Sequence, residues 1–167
     1  IKKFNPDCKV EVLIPDFNGN KSSLETVIKA SPDVLNHNIE TCRRVFRVVR
    51  PKGDYNQSIE LLRRVKELNP NIPTKSGMMV GLGETEDEII ETMNDLRKVN
   101  CDLLTIGQYL RPSKKHHEID KFYHPKEFTK FEHIGMELGF KHVAAGPLVR
   151  SSYPVSYTHL TLPTTGV

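Results

Sequence analysis

The sequence predicts an α/β fold built on a parallel sheet. Short apolar runs rich in Val, Ile and Leu alternate along the chain with segments whose apolar residues recur at helical spacing. Clusters of Pro, Gly, Asn and Asp separate these runs and indicate turns. Strands joined by single helical crossovers pair in parallel. Either an open doubly wound sheet or an arc of a (β/α) barrel satisfies this order.

Each element follows from a local pattern. The first strand is residues 10–14, and the capping-box pattern Ser22 to Glu25 predicts a helix that ends at about Lys29. A second capping box at Thr85, with three acidic residues in the first turn, predicts a later helix. The other expected elements are strands at 34–38, 75–80, 103–106 and 142–145, and helices at 39–49, 55–68 and 125–138.

Composition excludes several classes of protein. The 167 residues fit one domain, and 27% charged residues with 37% hydrophobic residues fit a folded chain. The net charge is only +3 and the basic residues are scattered in pairs, so no nucleic-acid partner is indicated. No apolar run approaches the roughly 18 residues that a membrane span needs. We therefore expect neither nucleic acid nor membrane as a partner.

Three cysteines, Cys8, Cys42 and Cys101, lie far apart and form no CxxC or CxxxC pair. Their spacing therefore gives no zinc or iron–sulfur signature. Cys42 and Cys101 fall in apolar surroundings, where packing is the expected role. An odd number of cysteines fits a reducing compartment, and we expect a cytoplasmic protein, or one of a mitochondrial or plastid matrix in a eukaryote.

Polar or glycine-rich sequence lies at or just after the C-terminal ends of five successive strands, where parallel α/β folds collect their functional groups. The segments are Asp16 to Asn18, residues 36–38, residues 81–84, Gln108 to Arg111 and residues 150–153.

Each segment also has a structural interpretation. Asn38 or Thr41 could cap the next helix, and Glu84 could complement a helix dipole. The GxG of residues 81–83 lacks the third glycine of a dinucleotide fingerprint. His116-His117-Glu118 lacks the spacing of a zinc protease, and the serines at 151 and 152 lack a GxSxG elbow.

Six motifs, taken together and in order, resemble lipoyl synthase over about residues 8–153. They are VEVLIPDFNGN at 10–20, LNHNIET at 35–41, VRPKGDY at 49–55, KSGMMVGLGE at 75–84, QYLRP at 108–112 and GPLVRSSY at 146–153. The resemblance implies a partial (β/α) barrel of the radical S-adenosylmethionine type, incomplete at its N-terminal side.

The family's activity is what the resemblance implies for a parent enzyme. Such an enzyme inserts two sulfur atoms at C6 and C8 of a protein-bound octanoyl-lysine. It uses S-adenosylmethionine and two [4Fe–4S] clusters, one of which is the sulfur donor. The implied partners are an octanoylated lipoyl carrier domain and a reductant such as ferredoxin or flavodoxin.

The resemblance also suggests roles for individual residues. It implies S-adenosylmethionine contacts for Asn36, Asn38, Lys75, Gly81 and Gly83. A second group, expected at the substrate channel or around a cluster, is Asp16, Gln108, Tyr109 and Arg111. Ser152 is implied as the non-cysteine ligand of the auxiliary cluster, because a hard oxygen ligand among thiolates suits an iron that must be released.

Two departures qualify the resemblance. The cysteine sets of both clusters lie in the family before the point where this chain begins, so we expect the chain alone to be inactive. The match stops after Tyr153, and residues 154–167, unlike the rest, carry no Lys, Arg, Asp or Glu. We expect residues 1–153 to form the barrel portion and residues 154–167 to be a non-native, poorly packed tail. The alternative is a standalone domain that binds a nucleotide-like ligand without radical chemistry.

Overall fold

The computed structural model describes residues 1–152; Tyr153 and the expected tail at 154–167 lie outside the described residues. The strands are β1 (Glu11–Leu13), β2 (Val34–Asn36), β3 (Thr74–Val80), β4 (Leu103–Gln108) and β5 (His142–Gly146). The helices are α1 (Lys21–Lys29), α2 (Arg43–Val49), α3 (Tyr55–Leu68), α4 (Glu86–Lys98) and α5 (Pro125–Glu137).

The five strands form one parallel sheet in the order β1-β2-β3-β4-β5. A doubly wound sheet reverses its strand order at a switch point, whereas this order is strictly sequential. The structure therefore selects the arc of a (β/α) barrel from the two predicted possibilities, and the arc is not closed.

The helices cover one face of the sheet. Side chains alternate along each strand, and those on one side pack against helices in two apolar clusters. The helix-facing strand residues are Val12, Leu35, Met78, Val80, Leu104, Ile106 and Val143. The opposite side, which we call the open face, carries Glu11, Asn36, Lys75, Gly77, Thr105 and Gly107, as the strand register requires.

Local chemistry explains where most helices begin. Thr85 and Glu88 form the predicted reciprocal capping box of α4, which ends on Arg97 and Lys98, where the helix dipole favours basic groups. His124 caps α5, and Pro125 occupies its first turn, where proline costs no backbone hydrogen bond.

Two predicted helix starts were wrong. Helix α1 begins at Lys21 because the Asn20 side chain accepts a hydrogen bond from the Ser23 N–H, so the predicted capping box beginning at Ser22 is not the cap. Helix α2 begins at Arg43, after Cys42, and not at residue 39. Residues 39–42 instead run along β3, and the Glu40 N–H donates to the Gly77 carbonyl at 3.0 Å. Neither Asn38 nor Thr41 caps α2.

An ion-pair cluster fixes the edge of the sheet opposite the strands' carboxyl ends. The buried Asp102 carboxylate accepts from the Thr74 N–H at 2.9 Å, from Lys66 at 2.5 Å and from Lys141 at 2.8 Å. Burial opposes ionisation of Asp102, but these donors lower its pKa overall. The Asp102 carboxylate at this edge is used within the protein, which leaves the carboxyl edge of the sheet as the candidate functional edge.

Candidate functional site at the carboxyl ends of the strands

The end of β2 carries buried polar atoms that lack a partner. Asn36 and His37 are buried, and Asn38 is partly buried. Asn36 Oδ1, His37 Nε2 and Asn38 Oδ1 have no hydrogen-bond partner within the described structure. Leaving a buried polar atom unsatisfied costs about 1–3 kcal/mol. Three consecutive residues with this feature make the end of β2 a candidate ligand-binding position.

His37 presents a bare nitrogen lone pair. Its Nδ1 lies 2.9 Å from the Ile14 carbonyl oxygen, which can only accept, so Nδ1 carries the proton. Burial lowers the pKa of His37 below its ordinary value, and the Ile14 carbonyl and Asp16 only partly oppose this. Neutral His37 therefore offers Nε2 as a hydrogen-bond acceptor. His37 belongs to the polar segment 36–38 noted from sequence, but the resemblance implied a cofactor contact only for its two neighbours, Asn36 and Asn38.

A cavity of about 300 Å³ opens beside these residues. Its charged lining residues are Asp16, Glu40, Arg50 and Lys52, and its remaining residues are Leu13, Ile14, Pro15, His37, Asn38, Phe46, Gly53 and Ser58. The cavity thus combines two acidic and two basic side chains with the acceptors of His37 and Asn38.

The two carboxylates of the cavity differ in their electrostatics. Asp16 accepts from the Gln57 side chain at 2.6 Å and from the Asn18 N–H at 3.0 Å. Burial opposes its ionisation, but these hydrogen bonds lower its pKa overall. Glu40 pairs with Arg50 at 2.7 Å, yet burial raises its pKa. The cavity therefore suits a ligand with both cationic and anionic groups, such as an amino-acid moiety.

Lys75 reaches this site through Glu11. Lys75 is 1% exposed, and its Nζ lies 2.9 and 3.2 Å from the two carboxylate oxygens of Glu11. Glu11 Oε1 also accepts from Asn36 Nδ2 at 3.0 Å. Lys75 and Glu11 thus brace Asn36 on the open face. Glu11 was not singled out from sequence, although a lone charged residue in the first predicted strand could have indicated it.

A smaller cavity of about 100 Å³ continues from Asn38 across the open face. Gly77, Thr105 and Gly107 form its floor, and the segment from Val149 to Ser151 lines its other side. Asn36 and Asn38 border this region, and Lys75, near the start of β3, is linked to Asn36 through Glu11. Contact of these three residues with S-adenosylmethionine stays a prediction. Ser152 is exposed and directly follows this segment.

Gly81 and Gly83 belong to a separate turn. Both have positive φ, at 101° and 98°, and Glu84 folds back to accept from the N–H groups of Gly81 at 2.6 Å and Leu82 at 2.9 Å. A side chain at Gly81 would collide with the Gln108 amide and a carbonyl oxygen of the loop after β4. The close approach at Gly81 is therefore made by the chain itself. Cofactor contact by Gly81 or Gly83 stays a prediction.

Gln108, Tyr109 and Arg111 hold the long loop after β4. Gln108 donates to the Lys121 carbonyl and accepts from the Tyr123 N–H, both at 3.0 Å. The Tyr109 hydroxyl donates to a loop carbonyl at 3.0 Å, and the Arg111 guanidinium donates to two more at 2.9 and 2.7 Å. These contacts give the three residues a structural role, and substrate contact by any of them stays a prediction.

The described residues do not supply an iron–sulfur ligand set. Across residues 1–152, no three His, Cys, Asp or Glu side chains are grouped so as to hold a metal ion. Cys42 and Cys101 are buried as predicted, and Cys8 is exposed. Burial raises the pKa of Cys101 to about 12 and also raises that of Cys42, which disfavours the thiolate form that ligates metals.

No helix within residues 1–152 has the length and apolar character that crossing a bilayer requires.

The chain forms a sequential parallel β/α arc with polar groups at the carboxyl edge of the sheet, which is the architecture of a partial (β/α) barrel. The family described as the radical SAM superfamily matches residues 1–96, and the chain belongs to that superfamily. The resemblance noted from the motifs is thereby confirmed at the level of the superfamily.

The curated relatives that match this chain along most of its length include lipoyl synthases. The chain is 61% identical over 148 residues to the lipoyl synthase of Caldanaerobacter subterraneus subsp. tengcongensis, covering 89% of this chain and 52% of that protein. It is 56% identical over 153 residues to the lipoyl synthase of Shouchella clausii, covering 92% and 50%. The chain therefore spans about half the length of the curated relatives it matches.

A solved structure independently supports the fold. A protein from Burkholderia cenocepacia J2315 described as a phosphonomutase superposes with a TM-score of 0.52 at 12% identity, covering 81% of this chain and 52% of that one. At this identity the match speaks only for the α/β architecture.

Proposed function

We propose that this chain is the S-adenosylmethionine-facing portion of a lipoyl synthase. The parent enzyme would insert two sulfur atoms at C6 and C8 of a protein-bound octanoyl-lysine. The identity of 61% to a curated lipoyl synthase over 89% of the chain is the observation that carries the proposal. The unsatisfied acceptors at the end of β2 support it, because they lie where a parallel α/β fold binds its ligands.

S-adenosylmethionine fits the groups present at this edge. Its ribose hydroxyls can donate hydrogen bonds. Asn36 Oδ1, His37 Nε2 and Asn38 Oδ1 are acceptors that have no donor within the described structure. Its methionine part carries a carboxylate and an ammonium group, for which the cavity offers basic and acidic side chains. When bound, S-adenosylmethionine would supply the 5′-deoxyadenosyl radical that removes hydrogen from octanoyl C6 and C8. The chain's own residues would bind and orient it.

The described residues do not provide a ligand set for an iron–sulfur cluster. Because residues 1–152 contain no grouped set of metal ligands, no step through a cluster is assigned to this chain. We propose that cysteines from elsewhere in the parent enzyme hold both [4Fe–4S] clusters, one of them the sulfur donor. The exposed Ser152 is proposed as the one ligand this chain contributes, to the auxiliary cluster.

The proposed partners and location are those that the resemblance to lipoyl synthase implies. The substrate would be an octanoylated lipoyl carrier domain, and ferredoxin or flavodoxin would provide electrons. The proposed location is the cytoplasm, or an organelle matrix in a eukaryote.

Anaerobic turnover of the parent enzyme tests the proposal. A longer protein carrying this sequence is reconstituted with iron and sulfide, then mixed with S-adenosylmethionine, a reductant and an octanoylated carrier domain. We expect 5′-deoxyadenosine and a carrier that has gained two sulfur atoms by mass spectrometry. A carrier of unchanged mass alongside 5′-deoxyadenosine would contradict lipoyl synthase activity. S-adenosylmethionine bound but never cleaved would favour the alternative, a nucleotide-like-ligand domain without radical chemistry.

The proposed role of Ser152 has its own test in the same assay. Ser152→Ala is expected to reduce sulfur insertion more than 5′-deoxyadenosine formation, because only the sulfur-donating cluster loses a ligand. Equal losses of both products would contradict the role. The 167-residue chain alone is expected to form no 5′-deoxyadenosine under the same conditions.

A further inference from the structure

The segment that follows β5 crosses the open face of the sheet against two glycines. A Cβ atom at Gly77 would lie 2.8 Å from Asn38 Oδ1 and 3.1 Å from the Ser151 Cβ. A Cβ atom at Gly107 would collide with the Val149 carbonyl oxygen. Both positions therefore need glycine so that this segment can lie on the sheet.

Ser151 joins this segment to both asparagines at the end of β2. Its hydroxyl oxygen accepts from Asn38 Nδ2 at 3.2 Å, and its carbonyl oxygen accepts from Asn36 Nδ2 at 3.4 Å. Asn36 Nδ2 also donates to Glu11, which pairs with the buried Lys75. A continuous network thus runs from the ion pair on the open face to the residue before Ser152.

The network determines the direction of two acceptors. A side-chain amide is planar, so fixing its nitrogen against one partner fixes where its oxygen points. With their nitrogens held by Ser151, Asn36 and Asn38 present unsatisfied oxygens. Without the Ser151 hydroxyl, the Asn38 amide could rotate, and water could then hydrogen-bond to its nitrogen or its oxygen.

We propose that Ser151 is a positioning residue that orients the Asn38 amide toward an adenosyl ligand and at the same time places the Ser152 segment beside it. This inference rests on the proposed function and deepens it. It gives the two serines different roles: Ser151 acts through Asn38, whereas Ser152 would act as a ligand. Through this coupling, a change in the segment after the last strand is expected to alter binding at β2.

The test measures S-adenosylmethionine binding by the purified 167-residue chain, using isothermal titration calorimetry. Loss of one neutral hydrogen bond is expected to weaken binding about fivefold in Ser151→Ala. Ser151→Thr, which keeps the hydroxyl, is expected to restore affinity. The thermal midpoint should change little, since the segment is partly exposed. Ser151→Cys, close in size to serine, serves as a second variant if the alanine protein does not fold.

A double-mutant cycle separates positioning from a general structural effect. Ser151→Ala combined with Asn38→Ala should bind no more weakly than Asn38→Ala alone, because the serine acts through that asparagine. Thr129→Ala, which removes a hydroxyl on α5, should combine additively with Asn38→Ala. Additive losses for Ser151 and Asn38, or wild-type affinity in Ser151→Ala, would overturn the inference.

Nuclear magnetic resonance distinguishes this inference from failure of the proposed function. If the wild-type chain binds no S-adenosylmethionine, the proposed function loses its support at this site. The Asn38 side-chain NH₂ signals still report the coupling and are expected to shift in Ser151→Ala but not in Thr129→Ala. Unchanged Asn38 signals in Ser151→Ala would refute the positioning role whatever the binding result.

Discussion

Lys75→Met tests whether the buried lysine serves stability or ligand binding. The substitution keeps an unbranched side chain but removes the charge that pairs with Glu11 at 2.9 Å. Removing one partner of a buried ion pair costs about 3–5 kcal/mol. The Glu11 side chain is 19% exposed, and partial solvation of the remaining carboxylate puts the expected loss at about 3 kcal/mol. For a chain of this size, that loss lowers the melting temperature by roughly 6–12 °C.

Urea unfolding followed by circular dichroism measures this loss. Lys98→Met is the matched control, because Lys98 is 71% exposed and its pair with Asp95 should contribute at most about 1 kcal/mol. The double variant Lys75→Met with Glu11→Gln should be more stable than Lys75→Met alone, since no buried charge is then left unpaired. If Lys75→Met is as stable as Lys98→Met but loses S-adenosylmethionine binding, the structural role is wrong and the cofactor contact predicted from sequence is right.

Three further outcomes can be checked by the same unfolding measurements. Gly107→Ala should lose about 1–3 kcal/mol because its Cβ would collide with a crossing backbone carbonyl, and amide exchange should quicken in the segment after β5. Gly83 has a positive φ, but the Cβ of Gly83→Ala would make only ordinary contacts with Asp120, so this variant should lose about 1 kcal/mol with no change in that segment; equal exchange in both variants would refute the contact. Stability should fall as pH drops below the ordinary histidine pKa of 6.5, because the unfolded chain then binds a proton that buried neutral His37 does not, with a slope of up to ~1.4 kcal/mol per pH unit. His37→Gln should reduce this slope, and an unchanged slope would contradict it. Asn20→Ala should lose about 1 kcal/mol as the true cap of α1, whereas Ser22→Ala should stay within about 0.5 kcal/mol, and the reverse order would restore the predicted capping box.

The elements that depend on local chemistry could be predicted from sequence. Helix α4 has its capping box, its acidic first turn and its basic last turn within its own residues, and it begins where the pattern indicated. The segment before α2 could not be predicted in this way. Ile39 and Cys42 have helical spacing, yet the Ile39 N–H donates to the Ser76 side chain at 3.1 Å. That partner lies on another strand, and no local pattern reveals it.

The residues of the candidate site also differ in how far local sequence could predict their role. Asn36 and Asn38 lie at the C-terminal end of a predicted strand, and the structure places them together at the end of β2. Gln108 also follows a strand, but the partners of its side chain come from the loop after β4. Strand ends therefore locate polar groups in sequence, whereas only the fold shows whether the chain's own loops already satisfy them.

The uneven satisfaction of polar groups along the carboxyl edge has a functional consequence. On the β3–β4 side, the side chains of Glu84 and Gln108 form hydrogen bonds with the backbone of their own turn and loop. On the β2 side, residues 36–38 leave three acceptors unused beside a cavity of about 300 Å³. A folded chain tolerates such a concentrated cost where a ligand can offset it. We therefore expect recognition of hydroxyl and charged groups on the β2 side, and not at the β3–β4 side, where the chain's own turn and loop already occupy the polar side chains.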